Sequence, residues 1–275
     1  MNDYHLFILV VSSSFAATFF GCTILIRKLK FLQRKKPAES RIFFGQDMAK
    51  AGPVHIPTVG GLAITLGFGF SLLLSLKLVD NRSCITLLAG LVTILLITII
   101  GFLDDIFIVR RIWRIIVPGI AALPLIVVDT GTATVHIFNR IVNLGNFYTY
   151  LLIPLGVIAC ANLINILAGF NGLEAGSGAI ACAAVFTASI ILVRLEPEKY
   201  SLSTPIMMLA MCGACLAFLL FNWYPAKIFP GNVGTYVIGA AIASAVIIGN
   251  MEKIGVIVLI PQIMEFLLKL RGRLK

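Results

Sequence analysis

Asp104 and Asp105 are adjacent carboxylates in a chain that is 59% hydrophobic, with Arg110, Arg111 and Arg114 just beyond them. Two such charges are costly to hold side by side, and neighbouring arginines or a divalent cation would relieve the repulsion. Neighbours on a helix point about 100° apart, so the two need not share a role. A second polar cluster, NLINILAGFNGLEAG over residues 162–176, carries Asn162, Asn165, Asn171 and Glu174 between glycines. Polar groups at membrane depth cost several kcal/mol unless they are paired or line a wet cavity. Each cluster has an ordinary alternative: a solvated helix end for the aspartates, a polar loop between two helices for the asparagines.

Two further polar islands flank these. Gly45, Gln46, Asp47, Met48, Ala49 and Lys50 precede Ile56–Gly61, whose glycine pair would let backbone approach a ligand closely. NWYPAKIFPGNVGT over 222–235 is a proline- and glycine-punctuated loop before an apolar segment. Alone, the first reads as a helix start with a loose turn.

The elements that must position these islands are membrane spans. Mean hydropathy of +1.02 with 12% charged residues excludes an ordinary soluble domain. Nine apolar segments recur, at 6–26, 59–79, 84–103, 115–129, 147–167, 175–194, 203–222, 233–249 and 254–270, the fourth and eighth being short. The fold class expected is therefore all-α, a polytopic transmembrane bundle forming one domain over 1–275. Basic residues follow the first segment instead of preceding it, so that segment reads as a permanent span and not a cleaved signal.

The net charge of +10 is unevenly placed: with the N-terminus outside, 16 of the 22 lysines and arginines fall on the inner side. The positive-inside rule then sets the N-terminus out and the C-terminus in, and all four islands open on the cytoplasmic face. That shared face outweighs any single motif. A basic inner rim attracts anionic lipid and phosphorylated substrates, and no basic soluble module exists to bind nucleic acid. Helix N-termini and a hard cation such as Mg²⁺ would suit phosphate ligands there. The six cysteines all lie in apolar segments, and the spacing of Cys212 and Cys215 reads as packing, not redox chemistry. The three histidines, His5, His55 and His136, are scattered, and no phosphate-binding G-x-x-x-x-G-K-[ST] loop is present. A plain transporter would need more charge within the spans than the few present, Glu265 among them.

In this order the islands resemble the polyprenyl-phosphate N-acetylhexosamine-1-phosphate transferases, and most closely the eukaryotic and archaeal branch that makes GlcNAc-diphospho-dolichol. Residues 162–176 match that branch's signature throughout; Gly45–Asp47, Asp104–Asp105, Asn222–Pro225 and Pro261–Gln262 match as well. Ala168 and Asn171 stand where peptidoglycan-branch relatives have Asp. The resemblance implies about ten spans, a cytoplasmic active site, and transfer of a sugar-1-phosphate from a UDP-sugar to dolichyl or polyprenyl phosphate with release of UMP. It implies that Gln46, Asp47, Met48 and Asn171 hold the uridine end, and that Asn165 and Asn232 bind Mg²⁺ or Mn²⁺. Asp104, Asp105 and Arg114 are implied as catalytic, Arg114 standing where near relatives have a phosphate-contacting lysine. Ala161, Asn162, Leu163, Ile164, Asn165 and Ile166 are expected to border the lipid-phosphate path. Neither aspartate is expected to support the core.

Two departures from the family follow. Asn232 occupies a position where the family usually has a metal-binding Asp. The chain stops at Lys275, where the family continues with a basic loop and a last span. The readings that follow are GlcNAc-1-phosphate transfer initiating a lipid-linked glycan, as in N-glycosylation; the same transfer from another UDP-N-acetylhexosamine; or a catalytically silent, lipid-phosphate-binding membrane subunit. Membrane lipids are expected partners, and a homodimer is one option for assembly.

Overall fold

The computed structural model describes residues 3–35, 43–46, 55–107, 109–110, 112–137 and 140–273. The apolar segments fold as helices: α1 (Asp3–Lys35), α2 (Gly61–Ser75), α3 (Asn81–Phe107), α4 (Trp113–Ala121), α5 (Leu123–Val127), α6 (Ile153–Ile166), α7 (Leu173–Leu195), α8 (Ser203–Asn222), α9 (Gly231–Ile248), α10 (Glu252–Val258) and α11 (Ile260–Arg273). Among the described residues, seven helical stretches are long and apolar enough to cross a membrane. In hydrocarbon a backbone must satisfy its own hydrogen bonds, and a helix does so within each segment.

The remaining two of the nine segments are helical but interrupted. The fourth breaks into α4 and α5, with Pro118 inside the first and Pro124 in the opening turn of the second. The ninth breaks between α10 and α11, where Pro261 lies in the first turn of the second helix. Proline removes a helical donor and clashes with the preceding turn, which accounts for the position of each break.

At the centre stands α9, with 89% of its span buried, against 22% for α1. It packs on α2, α3, α6 and α8. Small residues make this possible: a Cβ on Gly239 would run into the Cys160 carbonyl of α6, so only glycine lets these two backbones approach so closely. Without a hydrophobic drive between helices in lipid, buried hydroxyls add specific ties. Ser14 donates to the Ala210 carbonyl at 2.6 Å, Ser71 to Val10 at 2.7 Å and Thr204 to Ala245 at 2.9 Å. All six cysteines are free, and Cys212 and Cys215 are buried packing residues of α8.

Two short antiparallel ribbons complete the described fold. One pairs β1 (Phe44–Gln46) with β2 (His55–Pro57), with Gly45 opposite Ile56. The other pairs β3 (Thr134–Ile137) with β4 (Arg140–Asn143).

Candidate active site

The fourth island is the hub that holds the other three. Its backbone zips to the first: Phe229 N–H donates to the Pro57 carbonyl (2.7 Å), Gly60 to Phe229 and Gly61 to Pro230 (both 2.9 Å). Asn222, fully buried at the end of α8, joins it to the asparagine run. Its Oδ1 accepts from Gly172 N–H at 3.0 Å, and its Nδ2 donates to the Ile228 carbonyl at 2.9 Å. The acidic pair closes the set. Asp105 Oδ1 accepts from Asn232 N–H at 2.9 Å and Oδ2 from Val233 N–H at 3.2 Å. All four islands therefore meet at one face of the bundle.

The two aspartates differ sharply. Asp104 is 3% exposed and takes four donors: Oδ1 accepts from Arg114 Nε (2.9 Å) and Val109 N–H (3.1 Å), Oδ2 from Asn232 Nδ2 (3.0 Å) and Tyr236 O–H (3.2 Å). A carboxylate offers about four lone-pair sites, so Asp104 is saturated. Asp105 is half-buried and caps the first turn of α9 from outside that helix, where orphan N–H groups and the helix dipole favour a negative charge. Each of its oxygens keeps a lone pair free of these two donors.

The expectation that neither aspartate supports the fold is thus corrected. Asp104 ties α3 to α4 and α9, and Asp105 anchors the start of α9. Asn232 does not cap α9 with its own side chain either; its amide nitrogen faces Asp104, because a carboxylate can only accept.

Gly231 sets the register of this corner. Its φ of +66° is a left-handed conformation that L side chains resist, and a Cβ there would sit 2.6 Å from Asp105 Oδ2 and collide with the Thr58 carbonyl.

Arg114 uses Nε on Asp104 and is about one-third exposed, leaving its terminal Nη groups without a protein acceptor among the described residues. Beside it an apolar cleft of about 180 Å³ opens between α3 and α4, walled by Ile100, Leu103, Val109, Trp113 and Val117 with Asp104 and Arg114 in its lining. Asn162 holds α4 in place through its Nδ2, which donates to the Ile158 carbonyl (2.8 Å) and the Arg114 carbonyl (3.3 Å).

Asn165 joins the group through Thr235, whose hydroxyl is 3.1 Å from Asn165 Oδ1. Asn165 and Asn232 present amide oxygens near the acidic pair, a hard, oxygen-only donor set of the kind Mg²⁺ accepts. No group of three or more His, Cys, Asp or Glu side chains forms a metal cluster among the described residues. The protein's own charge there is small, so a cation would need anionic ligands from a substrate.

The turn between α6 and α7 and the first turn of α7 carry two buried atoms without partners among the described residues, Asn171 Nδ2 and Glu174 Oε2. The other oxygen of Glu174 accepts from Gly169 N–H at 2.8 Å. Buried polar atoms without partners cost about 1–3 kcal/mol each, so such atoms call for an explanation.

Other expected site residues fall elsewhere. Ala161 and Ile164 are 0% and 1% exposed and pack in the core of the bundle. Leu163 and Ile166 are half-buried, and Lys269 of α11 donates to the Ile166 carbonyl. Gln46 lies on β1 opposite His55, while Asp47 and Met48 lie outside the described residues. Tyr236 was missed by sequence reasoning, and Thr235 entered it only as the end of the fourth island. Tyr236 stands four residues after Asn232, one helical turn on, which is the signal that could have found it.

Comparison with known proteins follows this geometry. A model described as glycosyl transferase family 4 matches residues 87–250. A protein of Saccharolobus solfataricus, provisionally named UDP-N-acetylglucosamine–dolichyl-phosphate N-acetylglucosaminephosphotransferase, is 41% identical over 244 residues, spanning 87% of this chain and 73% of that one. The protein of that same name in Schizosaccharomyces pombe is 31% identical over 196 residues, spanning 66% of this chain and 44% of its own. A phospho-N-acetylmuramoyl-pentapeptide-transferase of Streptococcus pyogenes is 29% identical over 255 residues, 86% of this chain and 72% of the relative.

Proposed function

This chain belongs to glycosyl transferase family 4, and we propose that it transfers N-acetylglucosamine-1-phosphate from UDP-N-acetylglucosamine to a dolichyl or polyprenyl phosphate, releasing UMP. The observation that carries the proposal is the Arg114–Asp104 pair in the lining of the apolar cleft: a cation for a phosphate, next to walls that suit an isoprenoid. The names of the relatives at 41% and 31% identity support the same substrates.

The nucleophile is an oxygen of the lipid phosphate. Its second pKa is about 6, so at neutral pH it is largely a dianion and needs little help from a base. That oxygen bonds to the sugar-bearing phosphorus as the bridging P–O bond breaks, and UMP departs with the electron pair. What the protein must supply is alignment of two anions and neutralisation of their charge. Arg114, oriented by Asp104, offers its free Nη groups to phosphate oxygens. Asp104 has no lone pair to spare and acts by positioning. Asp105, with lone pairs free, is the carboxylate able to accept a residual proton from the lipid phosphate.

The donor set of Asn165, Asn232 and Asp105 fits Mg²⁺ or Mn²⁺, which would supply charge neutralisation to the diphosphate when bound. At the nucleotide end, Asn171 Nδ2 and Glu174 Oε2 are buried without partners among the described residues, and a shift of this turn would free a donor and an acceptor of the kind a uracil edge requires. Gln46, with Asp47 and Met48 beyond it, belongs to the same end of the proposed site. The lysine and arginine distribution supports an outside N-terminus and a cytoplasmic site.

Purified chain in detergent, given UDP-GlcNAc and a short polyprenyl phosphate, tests the reading. UMP should form only when both substrates are present. No nucleotide release, or release of UDP, would overturn it.

A further inference from the structure

At the end of α3 remote from the acidic pair, a polar cup of about 240 Å³ opens among the first turn of α3, the segment after α5, the α7–α8 connection and the α9–α10 turn. Arg82 and Lys199 line it, as does the carboxylate residue Asp129. Arg82 has no acidic partner within ion-pair distance among the described residues, whereas Lys199 meets Glu196 at 3.2 Å. Asp129 and Asn250 both hold left-handed backbone, with φ of +52° and +51°. Such non-glycine conformations cost energy and persist where surrounding structure enforces them.

An apolar groove of about 530 Å³ begins where the cup ends, and the two share Ile85 and Val128. Along α3 the groove follows Ile85, Leu88, Val92 and Leu96, the three- and four-residue spacing of one helix face. From Ile85 to Leu96 the rise is about 16 Å, roughly half of a 30 Å hydrocarbon core. The groove is therefore about one leaflet deep. Asp104 lies eight residues further, about 12 Å along the helix and in the opposite leaflet.

We propose that the cup and groove bind a single phospholipid of the leaflet remote from the active site. Its phosphate rests on Arg82 and Lys199, a hydrogen-bond donor of its headgroup reaches Asp129, and a hydrocarbon chain lies along α3 and α5. The charges select the headgroup: the unpaired Arg82, with Lys199 shared with Glu196, for the phosphate, and the Asp129 carboxylate, without a partner among the described residues, as an acceptor beyond it. Phosphatidylethanolamine carries both features, phosphatidylcholine lacks the donor, and diacylglycerol lacks the phosphate. The leaflet-deep groove and the headgroup cup at its far end favour a resident lipid over the tail of a substrate whose phosphate sits at Arg114. The proposal does not depend on the transfer reaction, because its readout is bound lipid.

The full chain, purified in detergent and incubated with each of the three lipids, can be read by native mass spectrometry. Phosphatidylethanolamine should be retained over diacylglycerol by roughly five-fold per engaged cation, with phosphatidylcholine between them. Arg82→Ala should lower retention of both phospholipids, leaving diacylglycerol unchanged. Leu88→Trp, which fills the groove, should lower retention of all three. Should Leu88→Trp fail to fold, Arg82→Ala at the exposed rim still decides the matter. Equal retention of the three lipids by the parent overturns the proposal, as does unchanged selectivity in Arg82→Ala. Displacement of the bound phospholipid by polyprenyl phosphate would assign the groove to the acceptor's tail and also overturn it.

Discussion

Replacing Asn232 by Asp puts a carboxylate into a site that holds an amide. Asn232 Nδ2 donates to Asp104 Oδ2 at 3.0 Å, and Asp104 is buried. In Asn232→Asp that donor becomes a second carboxylate at the same distance. The lost bond to a charged acceptor is worth about 1.5–3 kcal/mol. Repulsion between two unit charges about 3 Å apart, at an effective dielectric near 20, adds an upper figure of roughly 5 kcal/mol, part of it relieved by proton uptake. Against a typical total stability of about 5–15 kcal/mol, the variant should be clearly destabilised. A divalent cation between the carboxylates reverses the sign of the interaction. Thermal unfolding in detergent, with EDTA or with MgCl₂, is the assay. The parent should melt at one temperature in both, since its donor set carries little charge. Asn232→Asp should melt lower in EDTA and recover with Mg²⁺. Equal melting of parent and variant in EDTA would refute the Asn232–Asp104 bond and the reasoning built on it.

Four other outcomes follow from the same contacts. Asp104→Asn leaves two of four donors facing an NH₂ group; turnover measured by UMP release should fall at least ten-fold, about 1.4 kcal/mol in barrier, with lowered thermal stability. Asp105→Ala removes the cap of α9, and the melt should report a loss of about 0.5–2 kcal/mol with turnover also reduced. Tyr236→Phe deletes one bond to Asp104, about 0.5–1.5 kcal/mol, and should lower turnover by less than about ten-fold; an unchanged rate would remove Tyr236 from the site. Gly231→Ala forces a methyl group towards Asp105 and the Thr58 carbonyl in a left-handed conformation, and should cost at least about 1 kcal/mol on the melt.

Much of this arrangement was legible in the residues. Apolar stretches of span length mark helices reliably in a membrane, because no other local structure satisfies the backbone. Polar islands at alternate ends of successive spans must then share a face, and the bonds from 222–235 to Gly60, Gly172 and Asp105 bear that out. What escaped was rotation about helix axes. A helix such as α6, apolar on nearly every side, carries little signal for which residues face the core, so the burial of Ala161 and Ile164 could not be read from it. Partners across the fold escaped for a related reason. Nothing local says that Asp105 caps α9, or that Tyr236 reaches Asp104 from another helix, since both bonds join residues more than 120 positions apart. The break in the fourth segment was marked by Pro118 and Pro124, yet a count of apolar residues alone reads through it.

The central claim is that phosphorus, not only sugar, moves to the lipid. UDP-GlcNAc labelled at the phosphate next to the sugar, incubated with the purified chain and polyprenyl phosphate, measures this in one step. The account predicts label in the organic phase with an equal amount of unlabelled UMP in the aqueous phase, both abolished in Arg114→Ala. Label remaining in aqueous UDP while sugar enters the lipid, or label released without lipid, would contradict it.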